Sequence, residues 1–320
     1  KSIDGIPAVI SSLPIMMEES YLTSVYGNNK LGSIASTLKE NNYTTAFFHG
    51  GYNGTMGFDN FTRKVGYDYY YGMNEYNNKK DYDGNWGIFD EPFLQYCVKQ
   101  IDTLTKPFHA TFFTLSSHHP YAMPEEHKNK FSKGTLIVHE TVSYTDYALK
   151  RFFNEASKCD WFENTLFLIT SDHSGLTESK DFKTQLGLFK IPMIIYHPKM
   201  KSNIVSTQFV QQIDVYPTII DMLNIENEKI FTFGRSPFSE KEKYYIYYTN
   251  GEYLLMIGNY LSKYKQDGTI ELFDVEKDQT LKNNIANQQQ EITKKHIRFT
   301  QAFIQQYNNT IIENTTTISK

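Results

Sequence analysis

The chain has 320 residues, a formal net charge of −4, and 40% hydrophobic and 21% charged residues. That length can bury a large core, and the charge gives no general pull toward polyanions. No basic stripe with interleaved aromatics is present, which excludes nucleic acid as a partner. Nothing approaches the roughly 18 consecutive apolar residues of a membrane helix. The two cysteines, Cys97 and Cys159, form no CxxC, so thiol-ligated zinc of that kind is excluded, and a disulfide between them stays open.

The opening Lys1-Ser2-Ile3-Asp4 is not a leader sequence, so the chain reads as an excised portion of a longer protein. In KSIDGIPAVISSLPIMM, Ile6-Pro7 predicts a turn into a short helix that Pro14 interrupts. Ser2 at this helix entry reads either as a cap or as a nucleophile activated by metal and helix-start amides. Leu31, Ile34 and Leu38 mark a helix over 30–41, and TTAFFHGG is a strand ending at His49. The polar stretch Tyr52–Gly84 predicts a long ordered loop. Its run Tyr67–Tyr71 reads as loop filler or as a sugar-stacking surface.

A helix over 90–104 follows, with Asp90 as N-cap and Pro92 in its first turn. FHATFFTL is a third strand and ends in Ser116-Ser117-His118-His119. A long helix over 137–157 places Val138, Val142, Ala148, Leu149 and Phe152 on its buried side. LFLITSDHSG then runs as a buried strand into Asp172-His173, and IPMIIYH at 191–197 is one more strand. Val210–Leu223 is a helix in which Pro217 marks a break or a new first turn. Strands alternating with helices predict a mostly parallel sheet with helices on both faces. Ligands bind beyond the carboxyl ends of such strands, where His49, His118 and Asp172-His173 would gather.

Beyond residue 238 the pattern changes. Tyr244–Tyr248, Tyr253–Ile257 and Thr269–Phe273 read as short strands separated by the hairpin signals Asn250-Gly251 and Asp267-Gly268. A helix over 289–307 and a loose tail after Asn308 complete the chain. The expected organisation is a catalytic α/β domain, 1–238, with an antiparallel subdomain plus one helix, 239–320, packed on it.

Four segments together resemble the alkaline-phosphatase/sulfatase superfamily, in its lipoteichoic-acid-synthase-type branch of phosphoglycerol transferases: SIDGIPAVISSLP, TLSSHHPY, SDHSG and QQIDVYPTIIDML. FGRSPF at 233–238 and the late ELFDVEKDQTLKNN are similar to it as well. The resemblance implies an alkaline-phosphatase-like fold and one divalent ion, Mn²⁺ or Zn²⁺. Carried over to this chain, the nucleophile is Ser2 and the metal ligands are Ser2, Asp172 and His173. A fourth ligand, a Glu, is expected on a strand upstream of Lys1. His118 corresponds to a histidine that binds the substrate phosphate or protonates the leaving oxygen, and His49 to a second substrate-side histidine.

The implied activity is phospho-headgroup transfer through a covalent Ser2 intermediate on a membrane lipid or glycan. The alternatives are a phosphodiesterase or sulfuric-ester hydrolase and a non-catalytic headgroup-binding module. The implied setting is the extracytoplasmic face of a membrane, periplasmic in a Gram-negative source, for a monomer anchored in its full-length form. The chain has no Cys/Ser-x-Pro-x-Arg, so the formylglycine route of true sulfatases is disfavoured. Met56 and Phe58 fall near the Trp and Arg that handle glycerol phosphate in Gram-positive synthases. No histidine lies between His173 and His197, which argues against a second zinc.

Overall fold

A computed structural model describes residues 1–201, 203–226 and 231–316. The elements in order are α1 (Ser2–Ser11), α2 (Ile34–Glu40), β1 (Thr44–His49), α3 (Phe58–Lys64), β2 (Tyr69–Tyr71), α4 (Met73–Tyr76), α5 (Asp90–Asp102), β3 (Phe108–Phe113), α6 (Val138–Ala156), β4 (Phe167–Thr170), β5 (Met193–Tyr196), α7 (Val215–Met222), β6 (Tyr244–Thr249), β7 (Glu252–Ile257), β8 (Tyr260–Lys265), β9 (Ile270–Asp274) and α8 (Gln290–Ile312).

β1 lies between β2 and β3, both parallel to it. Successive strand side chains point to opposite faces, and β1 uses both. Phe47 packs with α1, α2, α3 and α7, whereas Phe48 packs with α5 and α6. Both rings are fully buried, each worth roughly 1.5–3 kcal/mol of transfer free energy. This two-sided burial is the parallel α/β architecture that the strand–helix alternation predicted. The later strands form an antiparallel sheet in the order β6-β7-β8-β9, with α8 against β7, β8 and β9. Ile246, Leu255, Ile257, Tyr307 and Ile311 join α1's Ile6 and Ile10 in one core, so sheet and helix bury apolar surface against the parallel part.

Several local expectations change. Pro7 sits inside α1 rather than in a turn before it, and Pro14 follows the helix end. Proline there removes one bond, to Ile3, in a short helix whose apolar residues are held by packing. The 52–84 stretch is not one loop, since it contains α3, β2 and α4. The Tyr67–Tyr71 run is largely filler: Tyr67 and Tyr70 are buried on Phe47, and Tyr69–Tyr71 pair with β1. Val142 is half exposed, at the margin of the face of α6 that Val138, Ala148 and Phe152 bury.

β5 pairs antiparallel with β4, so 191–197 does not extend the parallel sheet. β8 was missed because its Ser-Lys-Tyr-Lys sequence is polar on one face; Gly258 at positive φ makes its turn. The Asn250-Gly251 signal holds, with both residues at positive φ as a type I′ turn requires. Pro217 lies in the first turn of α7. α8 runs past Asn308 to Ile312, and Thr316 is buried, so the described part of the tail is packed. Cys97 and Cys159 are both free.

Three histidines give the fold a pH dependence. Burial pushes His49, His109 and His296 down to about 4 from an ordinary 6.5. A histidine depressed on folding contributes stability that is complete above about 6.5 and is lost as pH falls through about 4. Each is worth about 3 kcal/mol across that window. Asp214 acts in the opposite sense, because burial raises its carboxyl from 3.8 to about 6. It favours the fold below about 4, and that contribution disappears as pH rises through about 6. The three histidines outweigh it, so the urea midpoint is expected to fall steadily from pH 6.5 to 4.5. In His296→Gln the fall should be about half as steep; an unchanged slope would show that His296 is not buried neutral.

Candidate active site

Three of the site residues expected from the sequence meet at one point. Ser2 Oγ donates to Asp172 Oδ2 at 2.5 Å, and His173 Nε2 lies 3.4 Å from the same oxygen. Ser2 opens α1, and Asp172 follows the end of β4 by two residues. Three features hold these elements together. Gly5 faces the Asp172 backbone, where a Cβ would stand 2.9 Å from the Asp172 carbonyl oxygen. Gln212 donates its amide to the carbonyls of Ser171 and Asp172 at 2.9 and 2.7 Å. Ser12 Oγ, just past α1, donates to the Ile213 carbonyl at 2.7 Å.

His173 Nδ1 is 2.8 Å from the Ser174 carbonyl oxygen. A carbonyl only accepts, so Nδ1 carries the proton and Nε2 keeps its lone pair. Such a backbone partner is what fixes a metal-binding imidazole. The donors converging here are therefore a hydroxyl oxygen, a carboxylate oxygen and an unprotonated imidazole nitrogen. This set suits Zn²⁺ or Mn²⁺. It is three donors rather than four: among the described residues no group of three or more His, Cys, Asp and Glu side chains is placed to hold a metal ion.

His49 ends β1 and His118 follows β3, and among the described residues neither hydrogen-bonds to this triplet. His118 follows β3, on a loop pinned by Asp90. That carboxylate is not a helix cap. It is fully buried and accepts from the Leu115 and Ser116 amides at 3.0 and 2.9 Å and from the Thr145 hydroxyl at 2.7 Å. Burial pushes its carboxyl up, and these hydrogen bonds oppose the rise. His118 Nδ1 donates to the His119 carbonyl at 2.7 Å, which leaves Nε2 outward. The Trp86 ring lies 4.2 Å from the imidazole, centroid to centroid.

His49 is 1% exposed. Its Nδ1 is 2.9 Å from the Tyr70 hydroxyl, and its ring stacks on Phe113. Burial keeps it neutral near pH 7, although Asp59 pulls the other way. Its Nε2 faces Gly51, where a Cβ would lie 2.9 Å away, so the approach of this backbone requires the bare glycine. Met56 is half exposed and Phe58 is fully buried against His49.

Sequence reading missed Trp86, Gln212 and Gly5. The Asp-Gly within DYDGNWG signals a turn, but no local pattern says that its tryptophan reaches a histidine 32 residues later.

A parallel sheet covered on both faces, with histidines beyond β1 and β3 and a serine–carboxylate–histidine triplet between the start of α1 and the end of β4, is an alkaline-phosphatase-like α/β arrangement. The chain belongs to the Sulfatase family, whose model matches residues 3–225. Lipoteichoic acid synthase 1 of Bacillus subtilis (strain 168) is 27% identical over 246 residues, 71% of this chain and 38% of that protein. The lipoteichoic acid synthase of Staphylococcus aureus (strain NCTC 8325 / PS 47) is 24% identical over 249 residues, 72% and 38% of the two chains. The chain thus spans about two fifths of the length of these curated relatives.

Among solved structures, a protein in the alkaline phosphatase superfamily from Vibrio parahaemolyticus superposes with a TM-score of 0.83 at 21% identity, covering 100% of this chain and 78% of that one. The lipoteichoic acid synthase LtaP from Listeria monocytogenes gives 0.75 at 18%, covering 97% and 80%. The superfamily resemblance read from the four sequence segments is borne out, and so is the fold class.

The close approach of Gly5 to Asp172 yields a test. Gly5→Ala gains up to about 1 kcal/mol of helix propensity. It also forces α1 away from backbone that cannot yield cheaply, at roughly 1–3 kcal/mol. The expected net result is a lower melting temperature. A higher one would mean that α1 and Asp172 are not in contact.

Proposed function

We propose that this chain is the catalytic portion of a metal-dependent phospho-headgroup transferase that uses Ser2 as a covalent nucleophile on a membrane lipid or glycan. The observation that carries this reading is the Ser2 hydroxyl on Asp172 Oδ2 at 2.5 Å, with His173 Nε2 at 3.4 Å from that oxygen. A serine needs a partner that takes or weakens its proton. Here the hydroxyl proton already points at a carboxylate, and no histidine is placed on it as a base. Family membership and the likeness to lipoteichoic acid synthases support the same reading.

In this scheme Ser2 Oγ, Asp172 Oδ2 and His173 Nε2 would hold a divalent ion, Mn²⁺ or Zn²⁺, whose charge lowers the pKa of the hydroxyl and balances the phosphoryl oxygens. Ser2 Oγ forms a bond to phosphorus as the bond to the leaving alcohol breaks. His118 presents Nε2 to the substrate. As an imidazolium it donates there to a phosphoryl or leaving oxygen, while Nδ1–H stays on the His119 carbonyl. His49 is neutral and contributes at most one hydrogen bond across Gly51. An acceptor alcohol then attacks phosphorus and releases Ser2.

A Glu on a strand preceding Ser2 completes the ligand set. β3 pairs only with β1 and β4 only with β5 among the described residues, so each keeps an unpaired edge. Phe112 of β3 and Phe167 of β4 both lean on Phe152 of α6, with ring centroids 5.5 and 6.4 Å from it. A strand entering between β3 and β4 would end beside Ser2. The proposed location is the extracytoplasmic face of a membrane, with a monomer held there by segments outside this chain. Among the described residues no helix is long and apolar enough to cross a membrane.

Ser2→Ala is expected to reduce turnover of phosphatidylglycerol and of an aryl phosphodiester by at least ~10³-fold with Mn²⁺ or Zn²⁺ present, and to remove the phosphorylated-serine adduct seen by mass spectrometry. Unchanged turnover would refute the nucleophile. Separately, a chain extended upstream through a strand ending in Glu should bind Mn²⁺ at least ~10-fold more tightly than residues 1–320 by calorimetry. Equal affinity would remove the fourth ligand from the scheme.

A further inference from the structure

We propose that Trp86 is a positioning residue for His118: it fixes the tautomer and orientation of the imidazole through the one carbonyl that both side chains share. The inference rests on the reading of His118 as the substrate-facing histidine. The His119 carbonyl oxygen, with two lone pairs, accepts from His118 Nδ1 at 2.7 Å and from Trp86 Nε1 at 2.6 Å. The indole also lies against the imidazole, tilted by 56° at 4.2 Å. His118 is thus held on its Nδ1 edge and by one of its faces, and Nε2 is left as its free nitrogen.

Trp86 can act in this way only if its own backbone is fixed, and the loop that carries it is tied at several points. Asp83 Oδ1 accepts from the amides of Asn85, Trp86 and Gly87 at 2.7, 2.8 and 3.0 Å. The Asp83 amide donates to the Gly87 carbonyl at 2.8 Å, and the Ile88 amide to the Gly50 carbonyl at 2.8 Å. Gly87 sits so close to Gly50 that a Cβ would stand 2.3 Å from its carbonyl oxygen. The loop is therefore joined to the two glycines that follow His49. Trp86 in turn reaches across to the His118 turn, so one side chain couples the ends of β1 and β3.

A purely structural role for Trp86, as an apolar plug between two loops, predicts something different. The indole N–H would then matter little, and its loss would weaken the fold without regard to His118. Positioning requires the loss to travel through His118.

The test combines Trp86→Phe with His118→Gln, assayed on bis(p-nitrophenyl) phosphate with Mn²⁺. Trp86→Phe keeps an aromatic ring and deletes the N–H. It should lower kcat about tenfold when His118 is present, with KM changed less than about twofold, and should change neither parameter by more than about twofold in the His118→Gln background. Equal losses in the two backgrounds overturn the proposal. An activity-independent measurement accompanies it: long-range ¹⁵N–¹H spectra of the histidine rings above pH 7. Wild-type His118 should show the Nδ1–H tautomer, and Trp86→Phe a mixture of tautomers. A wild-type Nε2–H tautomer, or no change on substitution, overturns the proposal as well. If wild-type protein turns over no phosphodiester with either metal, the catalytic reading fails, and the ring spectra still decide what Trp86 does.

Discussion

The site depends first on a hydroxyl and a carboxylate that are 170 residues apart in sequence and 2.5 Å apart in space. Closing so long a loop costs conformational entropy that one hydrogen bond cannot supply. The contact exists because α1 is a core helix: Ile6, Ala8 and Ile10 are buried among residues of α2, α7 and the antiparallel sheet. The apolar face of α1 sets its position, Gly5 lets its backbone approach Asp172, and Gln212 fixes the Asp172 carbonyl. Ser2, at the helix start, is carried into place by backbone and core contacts rather than by its own side chain. The candidate site thus occupies one end of a helix whose middle is ordinary core.

Much of this was legible in the chain itself. The runs ending in His49, before His118 and in Asp172-His173 are readable because each is mostly apolar and stops abruptly at polar residues, as a largely buried strand does on leaving its sheet. The Asn-Gly turn of the antiparallel sheet is readable because its positive φ values favour those residues. What stayed hidden depends on tertiary partners. Asp90 looks like a helix cap from its neighbours and is instead a buried clamp on the turn after β3. Tyr69–Tyr71 gains its strand conformation from pairing with β1 rather than from any alternation of its own. The direction of β5 could not be read, since four apolar residues look alike in either orientation. Trp86 was invisible for the same reason: its partner is a carbonyl, and sequence gives no signal for a carbonyl.

The two histidines outside the triplet show how position divides similar side chains into different kinds of group. His49 ends β1, and His118 stands five residues past the end of the adjacent β3. His49 is enclosed by Phe58, Tyr70 and Phe113 and kept neutral by burial. His118 stands on a turn, half exposed, with one nitrogen on backbone and the other free. Adjacent strands thus lead to an enclosed, neutral histidine and to one on a partly exposed turn.

The Asp90 clamp has a kinetic side. Its carboxylate takes the amides of Leu115 and Ser116 out of reach of solvent at the base of the turn, whereas Ser117 and His119 are exposed only one to three residues later. Amide exchange at Leu115 and Ser116 then requires opening of the buried carboxylate together with α5, while the tip exchanges by local fraying. The border between backbone that moves only with the whole fold and backbone that exchanges by local opening falls inside this one turn. His118 stands just past that border, where its ring is held by the His119 carbonyl and by Trp86.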